Sequence, residues 1–150
     1  MMKALLAASA AALSLAVANA AAPAQPSAAD RAAIFKAAGF KAKGDMYVRC
    51  DDTTTQSAQT GWIELQDLNG DGTDEAWVKE SSLFCYGNTA EAFVLVGKDA
   101  KGIWNVLLDE VGVGVPLETK HNGWLDIEVG GPGMGPFPVY RFDGKKYKRK

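Results

Sequence analysis

Ala92-Phe93-Val94-Leu95-Val96, then Gly97-Lys98-Asp99-Ala100-Lys101-Gly102, then Ile103-Trp104-Asn105-Val106-Leu107-Leu108, is the stretch on which the fold turns. The first run is apolar at odd and even positions alike. A strand with two apolar faces is covered on both, which places it centrally in a sheet. The connecting segment is polar and has a glycine at each end, which suits a hairpin loop. Ile103 to Leu108 is therefore expected to fold back antiparallel on Ala92 to Val96.

The same grammar extends in both directions. Downstream, Trp124 to Val129 alternates, with Leu125, Ile127 and Val129 directed inward and Asp126 and Glu128 outward. Pro138 to Phe142 and Lys145 to Tyr147 flank Asp143-Gly144, a strong hairpin turn. Upstream, Glu75 to Lys79 puts Ala76 and Val78 on one face and Trp77 on the other, Trp62 to Gln66 puts Ile63 and Leu65 on one face, and Met46 to Cys50 is a further strand candidate. Thr53 to Thr60 is polar and free of aromatics, and is expected to be an exposed loop. One helix precedes the strands. Ser27 is its N-cap, Asp30 lies three residues on, Ile34 and Phe35 are its apolar anchors, and Gly39 stops it, giving a span of Ala28 to Ala38. The expected class is mainly β with one N-terminal helix, an antiparallel sandwich or small barrel of short strands and hairpins. No repeat recurs at a fixed period, so a propeller is not expected.

The N-terminus carries a different signal. Met1-Met2-Lys3 is a short positive segment, Ala4 to Ala18 is uncharged, and Ala18-Asn19-Ala20 is a small-x-small cleavage site. That order describes a secretory signal peptide. The apolar run is short and Ala-rich for a membrane span. Lipid anchoring at the cleavage site is not expected, because the first cysteine is Cys50. The organisation is therefore a signal peptide over 1–20, a flexible Ala, Pro and Ser-rich leader over 21–27, and a single secreted β-rich domain over 28–150. Removing 20 of 150 residues leaves 130 and moves the net charge from −2 to −3, since Lys3 alone is lost. That length buries a substantial core. So mild a balance calls for neither nucleic acid nor an anionic membrane, and the basic residues from Arg141 to Lys150 read as a solvated end. The destination is periplasmic or secreted, with no membrane span after the signal is removed. In that oxidising setting the two cysteines, Cys50 and Cys85, make one structural disulfide.

One loop carries specific chemistry. Asp67-Leu68-Asn69-Gly70-Asp71-Gly72-Thr73-Asp74-Glu75 places oxygen-bearing side chains at loop positions 1, 3, 5 and 9, with glycine at position 6. Calcium takes six to eight oxygens at about 2.4 Å, and a glycine lets the backbone turn sharply enough to gather them. Asp67, Asn69, Asp71 and Glu75 are the side-chain ligand candidates, and the Thr73 carbonyl is a fifth. An EF-hand differs, because position 12 is Val78 where that motif has a bidentate Glu, and because the flanking residues read as strands.

The loop resembles the calcium-binding β-hairpin of FG-GAP and VCBS repeats, through Asp67, Asn69, Asp71, Gly72 and Glu75 followed by Ala76-Trp77-Val78. The resemblance covers about a dozen residues, occurs once, and implies a structural calcium ion. Taken whole, the chain is also similar to small secreted proteins of proteobacteria with one such loop, a Cys85-Tyr86-Gly87 segment, a Gly123 to Asp126 segment and a terminal hairpin over Asp143 to Tyr147. That likeness implies no activity.

Other groupings point to no catalytic residues. His121, the single histidine, lies in a Lys120-His121-Asn122-Gly123 turn and reads as an exposed polar residue. No serine sits in a nucleophile-elbow pattern. The pairs Asp51-Asp52 and Asp109-Glu110 read as solvated strand ends. Gly130 to Pro136 lacks the Lys-Ser/Thr of a phosphate loop and reads as a wide, irregular recognition loop. Trp62, Trp77, Trp104 and Trp124 read as sheet residues rather than a sugar-stacking platform. The function these features favour is a non-enzymatic periplasmic binding module with structural calcium, its partner a periplasmic protein or cell-wall component. The alternatives are an inhibitor or immunity-type protein for a cell-wall hydrolase, and then such a hydrolase itself.

Overall fold

The structure is a computed structural model and describes residues 25–50 and 59–150. The expected signal peptide over 1–20, the expected leader up to residue 24, Asp51-Asp52 and nearly all of the expected Thr53 to Thr60 loop lie outside the described residues.

Helix α1 spans Ala28–Ala37. Its start is set as expected, since the Asp30 N–H donates to the Ser27 hydroxyl at 3.1 Å. The chain leaves it at Gly39, whose φ of 80° suits glycine. A small antiparallel hairpin follows, β1 (Lys41–Lys43) and β2 (Met46–Val48). Next come β3 (Gln59–Gln66), β4 (Glu75–Ser81), a short helix α2 (Leu83–Tyr86), β5 (Glu91–Lys98) and β6 (Trp104–Val111), which form one antiparallel sheet in the order β3-β4-β5-β6. The remaining strands, β7 (Val113–His121), β8 (Trp124–Gly130), β9 (Val139–Phe142) and β10 (Tyr147–Arg149), form a second antiparallel sheet in sequence order.

Gly112 joins the two sheets. Its φ is 140°, and a Cβ there would lie 2.4 Å from the Gly130 carbonyl oxygen, so the crossing between sheets requires glycine.

The first sheet lies between two apolar clusters. Val94 and Val96 of β5, with Ala76 and Val78 of β4, pack against Ile34 and Phe35 of α1. Phe93 and Leu95, with Trp77, point the other way and pack against Ile127, Tyr140 and Phe142 of the second sheet. The architecture is thus helix on sheet on sheet, which is why β5 is apolar on both faces. Burying each large side chain contributes about 1.5–3 kcal/mol. Polar contacts pin the helix as well, with the Trp104 indole N–H donating to Asp30 at 3.2 Å and the Lys98 ammonium 2.9 Å from the same carboxylate.

Cys50 and Cys85 are joined, with Cα atoms 6.3 Å apart. The bond ties the end of the small hairpin to α2. Several details differ from the sequence reading. The last strand is shifted to Tyr147–Arg149, because the Asp143 carboxylate caps the Lys145 and Lys146 N–H groups and holds those residues in the turn. His121 ends a nine-residue strand rather than lying in an open turn. Asp126, though on the outer face, is 1% exposed.

Candidate cation loop and the cleft beside it

Strands β3 and β4 pair up to Gln66 opposite Glu75, so the loop from Asp67 to Asp74 caps an antiparallel hairpin. Its own side chains fold it. Asp67 accepts from the Asn69 and Gly70 N–H groups with Oδ1 (3.2 and 2.7 Å) and from the Gly72 N–H with Oδ2 (2.9 Å). Asn69 Oδ1 accepts from the Asp71 N–H at 2.7 Å, and Asp71 Oδ1 accepts from the Thr73 N–H at 2.7 Å. The Asp67–Asn69, Asn69–Asp71 and Asp71–Thr73 bonds each span two residues, the turn that Asp and Asn make best. Gly70 and Gly72 supply the positive φ values, 81° and 84°.

Glu75 closes the loop from below. It is 3% exposed, and its Oε2 accepts from the Leu68 N–H at 2.9 Å. Among the described residues Oε1 has no hydrogen-bond donor. Burial pushes the Glu75 carboxyl up to about 7, partly opposed by the Leu68 N–H and reinforced by the charges of Asp71, Asp67 and Asp74. Asp67 is held below its usual value by the N–H groups of Gly72 and Gly70.

Of the five expected ligands, Asn69, Asp71, Thr73 and Glu75 line one cavity of about 420 Å³. The Asp67 carboxylate is turned into the loop, where it holds backbone N–H groups. Among the described residues no group of three His, Cys, Asp or Glu is gathered closely enough to hold a metal as it stands. The donor set is nevertheless all oxygen, which fits a hard cation, and a carboxylate oxygen that accepts one N–H keeps a second lone pair.

The loop also reaches the second sheet. Leu68 is fully buried, and its carbonyl accepts from the Leu125 N–H of β8 at 2.9 Å. The Leu125 carbonyl accepts in turn from the Tyr147 hydroxyl at 2.8 Å. Trp124, next in line, stacks on Phe142 with ring centroids 4.2 Å apart.

Two polar centres were not foreseen from the sequence. In the first, buried Asp126 accepts from the Thr119 hydroxyl at 2.8 Å, meets His121 Nδ1 at 2.8 Å and lies 3.5 Å from Arg141 Nε. Burial works to raise its pKa, but the Thr119 and His121 bonds and the His121 and Arg141 charges outweigh burial and lower it. A sequence signal did exist: Asn122-Gly123 is a two-residue hairpin turn, with φ of 50° and 84°, that folds Thr119 and His121 back beside Asp126. In the second, buried Glu80 accepts from the N–H groups of Arg49 and Cys50 and from the Tyr86 hydroxyl at 2.6 Å, while the Arg49 guanidinium grips Asp109 with two bonds of 2.8 Å.

Comparisons with protein-family models, with curated proteins and with solved structures each returned no match. The functional reading therefore rests on this geometry and on the sequence. Among the described residues no helix is long and apolar enough to cross a membrane.

Proposed function

We propose that this chain is an exported, non-enzymatic binding module whose β3–β4 loop takes up a structural calcium ion. The observation that carries the reading is Glu75. A carboxylate 3% exposed, with one oxygen that has no donor among the described residues, lines the same cavity as Asn69, Asp71 and Thr73. A cation there would be held by those residues and by Asp67, and would offset the mutual repulsion of the loop's acidic groups. The calcium-hairpin resemblance of Asp67 to Val78 supports the same ion. Export rests on the Met1 to Ala20 pattern, and the Cys50–Cys85 bond suits an oxidising compartment.

Thermal unfolding tests the ion. With calcium at a hundredfold excess over its dissociation constant, the wild type should gain about 2.7 kcal/mol over the chelated protein. Asp71→Ala should lose most of that gain and keep the unfolding behaviour of the chelated wild type. Equal midpoints for the wild type with calcium and with chelator would remove the ion from the reading.

One observation favours a second reading. Residues 131–136 are exposed and Met134 projects fully into solvent, as a loop that plugs a hydrolase cleft would. Inhibition of a muramidase by the purified protein, lost in Met134→Asp, would support an inhibitor. Unimpaired muramidase turnover at saturating protein would count against it.

A further inference from the structure

A second cavity, about 450 Å³, runs from the β5–β6 turn to the β9–β10 turn. It shares Lys98, Asp99 and Trp124 with the cavity beside the cation loop, so the two adjoin as halves of one groove at this end of the sandwich. We propose that this groove binds a carbohydrate, with Trp124 as its stacking platform. The inference rests on reading the chain as a binding module and names the ligand class of that module.

Three features select a sugar. The first is the floor. Trp124 is half-buried and lines both halves, and Leu107 and Phe142 continue the apolar surface in the second. Phe142 stacked at 4.2 Å and Tyr147 edge-on at 6.3 Å hold the indole in place, so little ordering remains to be done on binding. The second is the rim. Asp99, Asn105 and Lys145, all exposed, present a carboxylate, an amide and an ammonium beside that floor. A sugar ring offers an apolar C–H face to an aromatic and an edge of hydroxyls, each both donor and acceptor, to such a rim. The third is the groove's open form and charge. An apolar ligand needs enclosure, whereas this groove is bordered by charged turns. A phosphate is disfavoured by Asp71, Glu75 and Asp99, with Lys98 already committed to Asp30 at 2.9 Å.

The test follows the Trp124 indole N–H resonance in the isotope-labelled mature protein. Chitotetraose, cellotetraose and maltotetraose are titrated in turn, with calcium present. At least one should move that resonance saturably, with a dissociation constant of about 0.1–1 mM, as a shallow site with one stacking ring gives. Lys145→Ala, on an exposed turn, should weaken that binding several-fold with the unfolding midpoint unchanged. No saturable shift with any of the three sugars overturns the proposal, as does full-strength binding by folded Trp124→Ala, read from the backbone amides of Asn105 and Lys145. The calcium-dependent unfolding midpoint of the same sample separates the two readings. A protein that responds to calcium but to no sugar loses the groove alone, and one that binds sugar without responding to calcium loses the ion alone.

Discussion

Asp126 shows what one residue's surroundings can do. Alternation along β8 correctly sets it on the face opposite Ile127 and Val129, yet it is as buried as they are. Its cover comes from β7 and β9, through Thr119, His121 and Arg141, and no pattern within a single strand reports its neighbours. Removing the carboxylate leaves the Thr119 hydroxyl without its acceptor, and His121 Nδ1 and the Arg141 guanidinium without the carboxylate they face. Asp126→Ala should therefore cost about 2–3 kcal/mol, measured by urea unfolding at neutral pH. The pH dependence has a definite sign. The folded pKa of Asp126 lies below its unfolded value, so its contribution is present above the unfolded pKa, about 4, and is lost as pH falls through the folded one. Wild-type stability should drop below about pH 4 more steeply than that of Asp126→Asn. Equal acid slopes for the two proteins would show that Asp126 carries no such linkage.

Among the elements, the β3–β4 loop does more than close its hairpin. Its spacing and its flanking strands were legible in the sequence, because glycines and alternating oxygen side chains are local signals. The role of Leu68 was not legible. It occupies a loop position between two acidic-loop residues, yet it is fully buried in the cluster between the sheets. From Glu75 Oε2 through the Leu68 peptide to Leu125, and from Leu125 to the Tyr147 hydroxyl, hydrogen bonds of 2.9, 2.9 and 2.8 Å run from the loop to the last strand. The loop therefore helps hold the second sheet in place. Leu68→Ala should cost about 2–5 kcal/mol, the range for emptying a buried leucine site. Tyr147→Phe should cost about 1 kcal/mol, the worth of one hydrogen bond. Both are read by chemical denaturation, with hydrogen exchange at the Leu125 amide as a local probe. A Leu68→Ala protein as stable as wild type would show that the loop merely rests on the sheet.

Across the whole molecule, the hairpins β5–β6 and β9–β10 and the central place of β5 were legible in turn residues and in two apolar faces, whereas β7 was not, because none of its residues is fully buried and its pattern carries no clean alternation. The three-layer arrangement was less visible, because α1 is short and Ala-rich and buries chiefly Ile34 and Phe35. What secures the periphery is the Cys50–Cys85 bond together with Glu80, which binds the N–H groups of Arg49 and Cys50 on one side of that bond and the Tyr86 hydroxyl on the other. A bond closing a loop of sequence separation 35 stabilises by about 4 kcal/mol on the chain-entropy estimate. The apolar clusters on both sides of the first sheet contain neither cysteine. Cys50→Ser with Cys85→Ser should thus lower stability by about 4 kcal/mol and leave a folded protein, because the Glu80 bonds and the Arg49–Asp109 pair still hold the same segments. Adding Glu80→Gln should then release those segments, seen as faster hydrogen exchange at the amides of Arg49 and Cys50 while β4 and β5 stay protected. If the double cysteine variant already loses protection in β4 and β5, the disulfide supports the central sheet itself rather than its periphery.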